Sequence, residues 1–400
     1  MRFRTAVVAA AALAVVLGPA PAPARAAAAC ENTVAPGKVS TATPYEDELY
    51  DLARLAPIAN GAGVRVAVVD SGVDAEHPQL KGRVADGRDF LKNEPDGRQD
   101  CVGHGTAVAS IIAAAKVGAT PFHGLAPRAT IVPIRISEQE VIDGKAVGDQ
   151  GSPADFADAI DFAADPDGGD AQVINLSLVM VEDDTRVREA VARAIERGVV
   201  VVAAVGNNGK PGDANLTPYP ADYPGVIGVG AIGADGLRAA YSQHGDYVDI
   251  MATGNQVTYA ALHAGQTTGD GTSYAAPFVA ATAALIKQRF PTLTPAQVAR
   301  RIIATADPAP GGRRSDEYGF GLLNPYRALT ETLGPDVPAA PAPVVMRTED
   351  PAVVAQQARR AHSQDMALLV AGIGTGVVAL VGILTAVVRR GRRRGWRPAS

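Results

Sequence analysis

From about residue 63 to residue 305 the chain alternates short apolar runs with longer stretches of helical spacing. The runs are Val64–Val69, Thr130–Ile136, Val173–Leu178, Val199–Val205, Val226–Val229 and Val248–Met251, each four to seven residues long. They are rich in β-branched residues, which favour strands. Most lack the polar alternation of a half-exposed strand, so they predict a parallel sheet buried on both faces. Between them, Thr106–Ala115, Ala154–Ala164, Thr185–Arg197, Ser273–Arg289 and Pro295–Ala304 carry helical spacing, with Ser152 placed as an N-cap and Gly198 as a stop. The pattern predicts an α/β fold over 63–333, a doubly wound parallel sheet with helices on both faces. Ligands in such sheets bind outside the carboxyl ends of the strands. Asp70, Ser177 and Asn207 all end or follow predicted strands.

The flanks read differently. Residues 1–29 hold Arg2 and Arg4, then the apolar stretch Ala6–Leu17, then small residues. That order predicts a secretory signal peptide cut within Ala24–Ala29. A lipoprotein signal ending at Cys30 is the alternative. Residues 30–62 form a short extension in which Glu46–Leu55 has helical spacing and is expected to lie against the domain. Residues 334–345 are rich in Pro and Ala and predict a semi-extended spacer, part of a linker over 334–365. Met366–Val388 is 23 residues without a charge. At about 1.5 Å per residue it is long enough to cross a hydrocarbon core of about 30 Å. Six arginines follow in 389–400. The positive-inside rule then keeps the tail cytoplasmic and puts the body of the chain outside the cell membrane.

The formal net charge is −5, but nine of the arginines sit in 1–29 and 389–400, which leaves 30–388 at −14. So acidic a body excludes nucleic acid as the main partner. The two cysteines, Cys30 and Cys101, both fall outside the membrane. An even count in an oxidising compartment favours one disulfide, with two free thiols as the alternative.

Four short motifs carry chemistry: Asp70-Ser71-Gly72 after a strand, His104-Gly105-Thr106 at a helix start, Val205-Gly206-Asn207 after a strand, and Gly271-Thr272-Ser273 at another helix start. A serine hydroxyl is a poor nucleophile without an adjacent base. Imidazole suits that task at neutral pH. It needs an anion to fix its tautomer, and the oxyanion of the intermediate needs a donor placed in advance. Each motif alone is weak: Asp-Ser-Gly is a common turn, and Ser273 alone reads as a helix cap. Asp70, His104, Asn207 and Ser273 together supply one of each part. His77 reads as structural, and His123, His244 and His263 lack metal-site spacing. No cofactor and no metal are expected.

With AVVDSGVDAEHPQL, GHGTAVASIIAA, VINLSL, VVVAAVGNNG and GTSYAAP, the chain resembles the subtilisin-like serine proteases over about 60–330. The resemblance implies Asp70 as orienting acid, His104 as general base, Ser273 as nucleophile and Asn207 as oxyanion donor. It implies that Ser177 and Leu178 pair with an extended substrate, next to Gly206. Val179-Met180 stands where the broad-specificity members have Gly-Gly, and Val205 where alanine is usual. A cleft narrowed for small side chains is expected. About 35 residues between the signal and Val64 are too few for the family's folding prodomain, so folding without autoprocessing is expected. The whole layout resembles the mycosins, membrane-anchored proteases of type VII secretion. That resemblance implies limited proteolysis of a secreted protein substrate, or a scaffold role stabilising the type VII secretion membrane complex.

Overall fold

The computed structural model describes residues 30, 35–142, 145–312, 314–334 and 388–390. The expected signal peptide and almost all of the expected linker, membrane span and tail lie outside the described residues. Among the described residues no helix is long and apolar enough to cross a membrane.

In chain order the first half forms α1 (Tyr45–Leu49), α2 (Leu52–Leu55), β1 (Arg65–Asp70), β2 (Arg88–Asp89), α3 (His104–Ala113), β3 (Thr130–Arg135), β4 (Glu140–Ile142), β5 (Lys145–Val147), α4 (Pro153–Ala164) and β6 (Val173–Leu176). The second half forms α5 (Thr185–Glu196), β7 (Val200–Ala204), β8 (Ile227–Ile232), β9 (Ile250–Thr253), β10 (Val257–Ala260), β11 (Gln266–Gly269), α6 (Thr272–Arg289), α7 (Pro295–Ala304) and α8 (Pro325–Thr330). Seven strands make one sheet in the order β2-β3-β1-β6-β7-β8-β9. Every neighbouring pair is parallel, as the apolar runs predict. The chain steps from β1 to β3 on one side and resumes with β6 on the other. The topological switch therefore lies between β1 and β6, and their carboxyl ends carry Asp70 and Ser177.

The strands alternate between two cores. Val66 and Val68 face one together with Val200, Val202 and Ala204. Ala67 and Val69 face the other with Val201 and Ala203. Helix α6 crosses the first face, and α4 and α5 cover the second. Helix α4 starts as expected, since Ser152 and Asp155 form a reciprocal capping box.

β2, β4, β5 and α8 arise where no run or helical spacing was noted, and three further features differ from the sequence expectation. The spacing places Pro277 in a first helical turn starting at Ser273. Helix α6 instead starts at Thr272, which puts Pro277 sixth in it. Proline has no N–H, so the Ser273 carbonyl loses its intrahelical partner. Ser177 Oγ donates to that carbonyl instead, at 2.8 Å. The stretch Glu46–Leu55 is two short helices, because Asp51 between them is left-handed, with φ 48°. It does lie against the domain: Tyr50 packs on Phe278 at 5.1 Å between ring centroids and its hydroxyl accepts from Thr253 N–H at 2.9 Å. The hairpin of β10 and β11 has no apolar run to announce it, and Lys38 of the extension pairs with its Gln266. Cys30 and Cys101 form a disulfide with their Cα atoms 5.4 Å apart.

Candidate active site

Strand β1 delivers Asp70, 1% exposed, to the switch point. Helix α3 begins on His104 directly against the turn that follows it. Only glycine allows this approach at Gly105, where a Cβ would stand 2.0 Å from the Gly72 carbonyl oxygen. His104 Nδ1–H donates to Asp70 Oδ1 at 2.6 Å, and Ser71 N–H donates to the same oxygen at 2.8 Å. The bond fixes the tautomer and leaves Nε2 free to accept a proton. Burial pushes the imidazole pKa down, but the charge of Asp70, its hydrogen bond and the charge of Asp100 together outweigh that, and the net shift is upward.

Ser273 sits in the first turn of α6. Its Oγ donates to the Ser177 carbonyl at 3.1 Å. The hydroxyl hydrogen is therefore committed to this carbonyl rather than to the imidazole, and reaction requires it to be redirected to Nε2. Such looseness before substrate binds is common in catalytic hydrogen bonds. The pairing of Ser177 and Ser273 is mutual, each hydroxyl bonding the other's carbonyl.

Asn207 lies three residues past β7. Its Oδ1 accepts from Thr272 N–H at 2.9 Å and Thr272 Oγ1–H at 3.0 Å. Both donors occupy the oxygen, so the amide is oriented and its Nδ2 is the end left for an oxyanion. Thr272 Oγ1 also accepts from Gly206 N–H at 3.1 Å. The Ser273 N–H, in the first turn of α6, lacks an intrahelical acceptor and is the second donor. Thr272 escaped sequence reasoning. The only signal was a hydroxyl residue between Gly271 and Ser273, which reads equally as part of a cap.

His104, Asn207 and Ser273 open on a cleft of about 1080 Å³. Leu178, Val179 and Gly206 line it on one side, and Tyr259, Leu262 and Tyr274 also line it. Tyr274 stacks on Tyr259 at 4.7 Å and stands 5.6 Å from the imidazole ring centroid. Ala35, Pro36 and Gly37 of the extension line the cleft as well. Among the described residues, the backbone at Leu178 and Val179 makes no hydrogen bond, which leaves an edge for an extended peptide. Gly206 adopts φ 94°, and a Cβ there would stand 3.7 Å from Val179 Cγ1 and against the Gln243 amide. Val179 lines the cleft beside Gly206 together with Gln243, which was not foreseen, whereas Val205, expected to narrow the cleft, is fully buried in the second core.

His77 is 1% exposed and bonds the Gly265 carbonyl and Gln79 N–H, a structural role. Among the described residues, no group of three or more His, Cys, Asp or Glu side chains could hold a metal ion.

A buried acid bonded to an imidazole, beside a serine on a helix start and an oriented amide, is the set that acyl transfer needs. The subtilase family matches residues 61–321, which contain all four. The chain belongs to the subtilase family. The subtilase is 37% identical to Subtilisin E of Bacillus subtilis (strain 168), over 66% of this chain and 65% of that one. It is 33% identical to Mycosin-1 of Mycobacterium tuberculosis (strain ATCC 25618 / H37Rv), over 87% of each. A crystal structure of MycP1 from the ESX-1 type VII secretion system superposes with a TM-score of 0.65 at 29% identity, covering 77% of this chain and 91% of that one. The alignment with a mycosin runs well past the catalytic domain, whereas that with a subtilisin does not, so the subtilase is of mycosin type.

The subtilase is a serine protease, and from its geometry we propose the following steps. His104 Nε2 takes the Ser273 proton as Oγ attacks the scissile carbonyl. Asp70 holds the resulting imidazolium. Asn207 Nδ2–H and Ser273 N–H receive the oxyanion. The imidazolium then protonates the leaving amine, and water repeats the sequence on the acyl-enzyme.

Proposed function

We propose that this subtilase is a membrane-anchored, extracytoplasmic endopeptidase that performs limited proteolysis of a secreted protein linked to type VII secretion. The observation that carries the reading is the alignment with Mycosin-1 over 87% of both chains. It is supported by the similarity to MycP1, named as from the ESX-1 type VII secretion system. The signal-like residues 1–29 and the uncharged stretch 366–388 followed by arginines support a single crossing with the catalytic domain outside. The place of Val179 and Gln243 in the cleft beside Gly206 supports a preference for small side chains on the acyl side of the scissile bond. Partners on this reading are a secreted protein substrate, components of the secretion membrane complex, and the bilayer.

The test compares proteins secreted by cells carrying the intact gene and a Ser273→Ala version, with membrane fractionation of both. At least one secreted protein should lose a cleavage fragment in the variant, and the protease should sediment with membranes until 366–388 is deleted. Identical secreted proteins, with secretion intact and no labelling of Ser273 by a serine-directed phosphonate, would leave a scaffold role in place of proteolysis.

A further inference from the structure

Beside the Asp70–His104 pair lies a second buried carboxylate that the mechanism above does not use. Asp100 is 5% exposed. Its Oδ1 accepts from Ser71 Oγ–H at 2.9 Å, Val102 N–H at 3.1 Å and Gly103 N–H at 2.8 Å. Its Oδ2 accepts from Thr106 N–H at 2.9 Å and Thr106 Oγ1–H at 2.6 Å. All five partners are donors, and among the described residues no lysine or arginine pairs with it. Burial raises the Asp100 pKa, and hydrogen bonds from Thr106, Gly103 and Ser71 offset part of that rise, so the net shift is upward.

These bonds tie both halves of the catalytic dyad together. Helix α3 has Gly103 at its N-cap position, which offers no side chain to its first N–H groups. Asp100 takes the Thr106 N–H, and Ser71 Oγ takes the Gly105 N–H at 2.8 Å. Ser71 in turn gives its own N–H to Asp70. Thr106 Oγ1 accepts from Asp74 N–H at 2.9 Å, which adds a link to the chain beyond Asp70. One carboxylate thereby fixes the start of α3, which carries the imidazole, against the turn that carries its acid.

The groups around the imidazole are Asp70 from β1, Asp100 from the loop before α3, and the neutral phenol of Tyr274 from α6. Both charges are negative. A fixed anion in a site shielded from water acts more strongly than it would in solvent, and it favours the imidazolium over the neutral ring.

We propose that Asp100 is a positioning residue of the reaction: its carboxylate clamps α3 to the Asp70 turn, and its charge sustains the imidazolium that forms when Ser273 attacks.

The test uses the full-length chain in detergent and a peptide anilide with alanine before the scissile bond, with active sites titrated. Asp100→Asn should lower kcat by about tenfold or more with KM within about twofold, the signature of an interaction made in the transition state. The acid limb of its kcat/KM profile should move to lower pH by about half a unit or more, because that limb reports the free enzyme's base. A folded Asp100→Asn protein with unchanged kcat overturns the proposal. So does a fall in kcat with the acid limb unmoved, which would make Asp100 a structural residue alone. If Asp100→Asn does not fold, Thr106→Val and Thr106→Ser decide. Valine should lower kcat and shift the limb while serine preserves both, and equal behaviour of the two overturns the proposal.

Discussion

Thr272 sits beside the nucleophile, yet its contribution is to the amide across the cleft. Its N–H and hydroxyl both end on Asn207 Oδ1, so the amide cannot rotate its oxygen toward a developing oxyanion. Removal of a subtilisin's own oxyanion amide costs about 10²–10³ in kcat. Loss of one of two orienting bonds costs less. Thr272→Val is expected to lower kcat about tenfold with KM little changed, and Thr272→Ser to stay near the parent, both read from active-site-titrated kinetics. Equal rates for valine and serine would deny the hydroxyl this role. Val179 acts on selectivity. Val179→Gly should raise kcat/KM for peptides with Phe or Leu before the scissile bond, relative to Ala, by about tenfold. A peptide library in which the ratio stays fixed would remove Val179 from the specificity wall. Asp70, His104, Asn207 and Ser273 are legible in sequence because each stands in a short motif whose neighbours are also constrained. Thr272, Gln243 and Asp100 were not, since their partners lie far along the chain or read as ordinary loop residues.

Six of the seven strands of the main sheet, and the helices that cover it, follow the predicted runs to within a few residues, because burial on both faces demands continuous apolar sequence; the edge strand β2, Arg88–Asp89, has no such run. The elements that escape are those whose form comes from contact. The extension is broken at Asp51, where the chain turns left-handed so that Tyr50 can reach Phe278 and Thr253. Helix α1 also buries Glu46, 3% exposed, whose carboxylate accepts from Thr258 N–H in β10. Burial raises its pKa to about 7, and Asp47 beside it is raised to about 7 for the same reason. The sign follows directly. The folded chain holds these protons more tightly than the unfolded one, so stability is greatest below the unfolded values and falls as pH rises toward 7. Glu46→Gln should therefore stabilise the protein at pH 8 by about 1–3 kcal/mol and change little at pH 4, as measured by denaturant melts at both. A larger gain at pH 4 would contradict the sign.

The described residues up to 334 are built on one seven-stranded sheet with a main core on each face, and a disulfide staples Cys30 to the loop before α3. The Cys30–Cys101 disulfide closes a sequence separation of 71 and ends three residues before His104. Chain-entropy reasoning gives such a loop roughly 4 kcal/mol at most. Cys101→Ser should lower the unfolding free energy by about 2–4 kcal/mol in denaturant melts, and a variant as stable as the parent would show that the staple adds no net stability. The sequence by itself determined the α/β layout, the parallel sheet and the candidates for acid, base, nucleophile and amide. Those follow from local pattern: apolar period, glycine at turns, and short motifs that carry their own neighbours. Only the tertiary structure decided what orients them. The bond from Ser177 to the carbonyl that Pro277 frees, the grip of Thr272 on Asn207, and the five donors on Asp100 join segments that are distant in sequence or separated by turns. Hydrogen bonds act over about 3 Å, and no one-dimensional spacing reports which groups the folded chain brings that close.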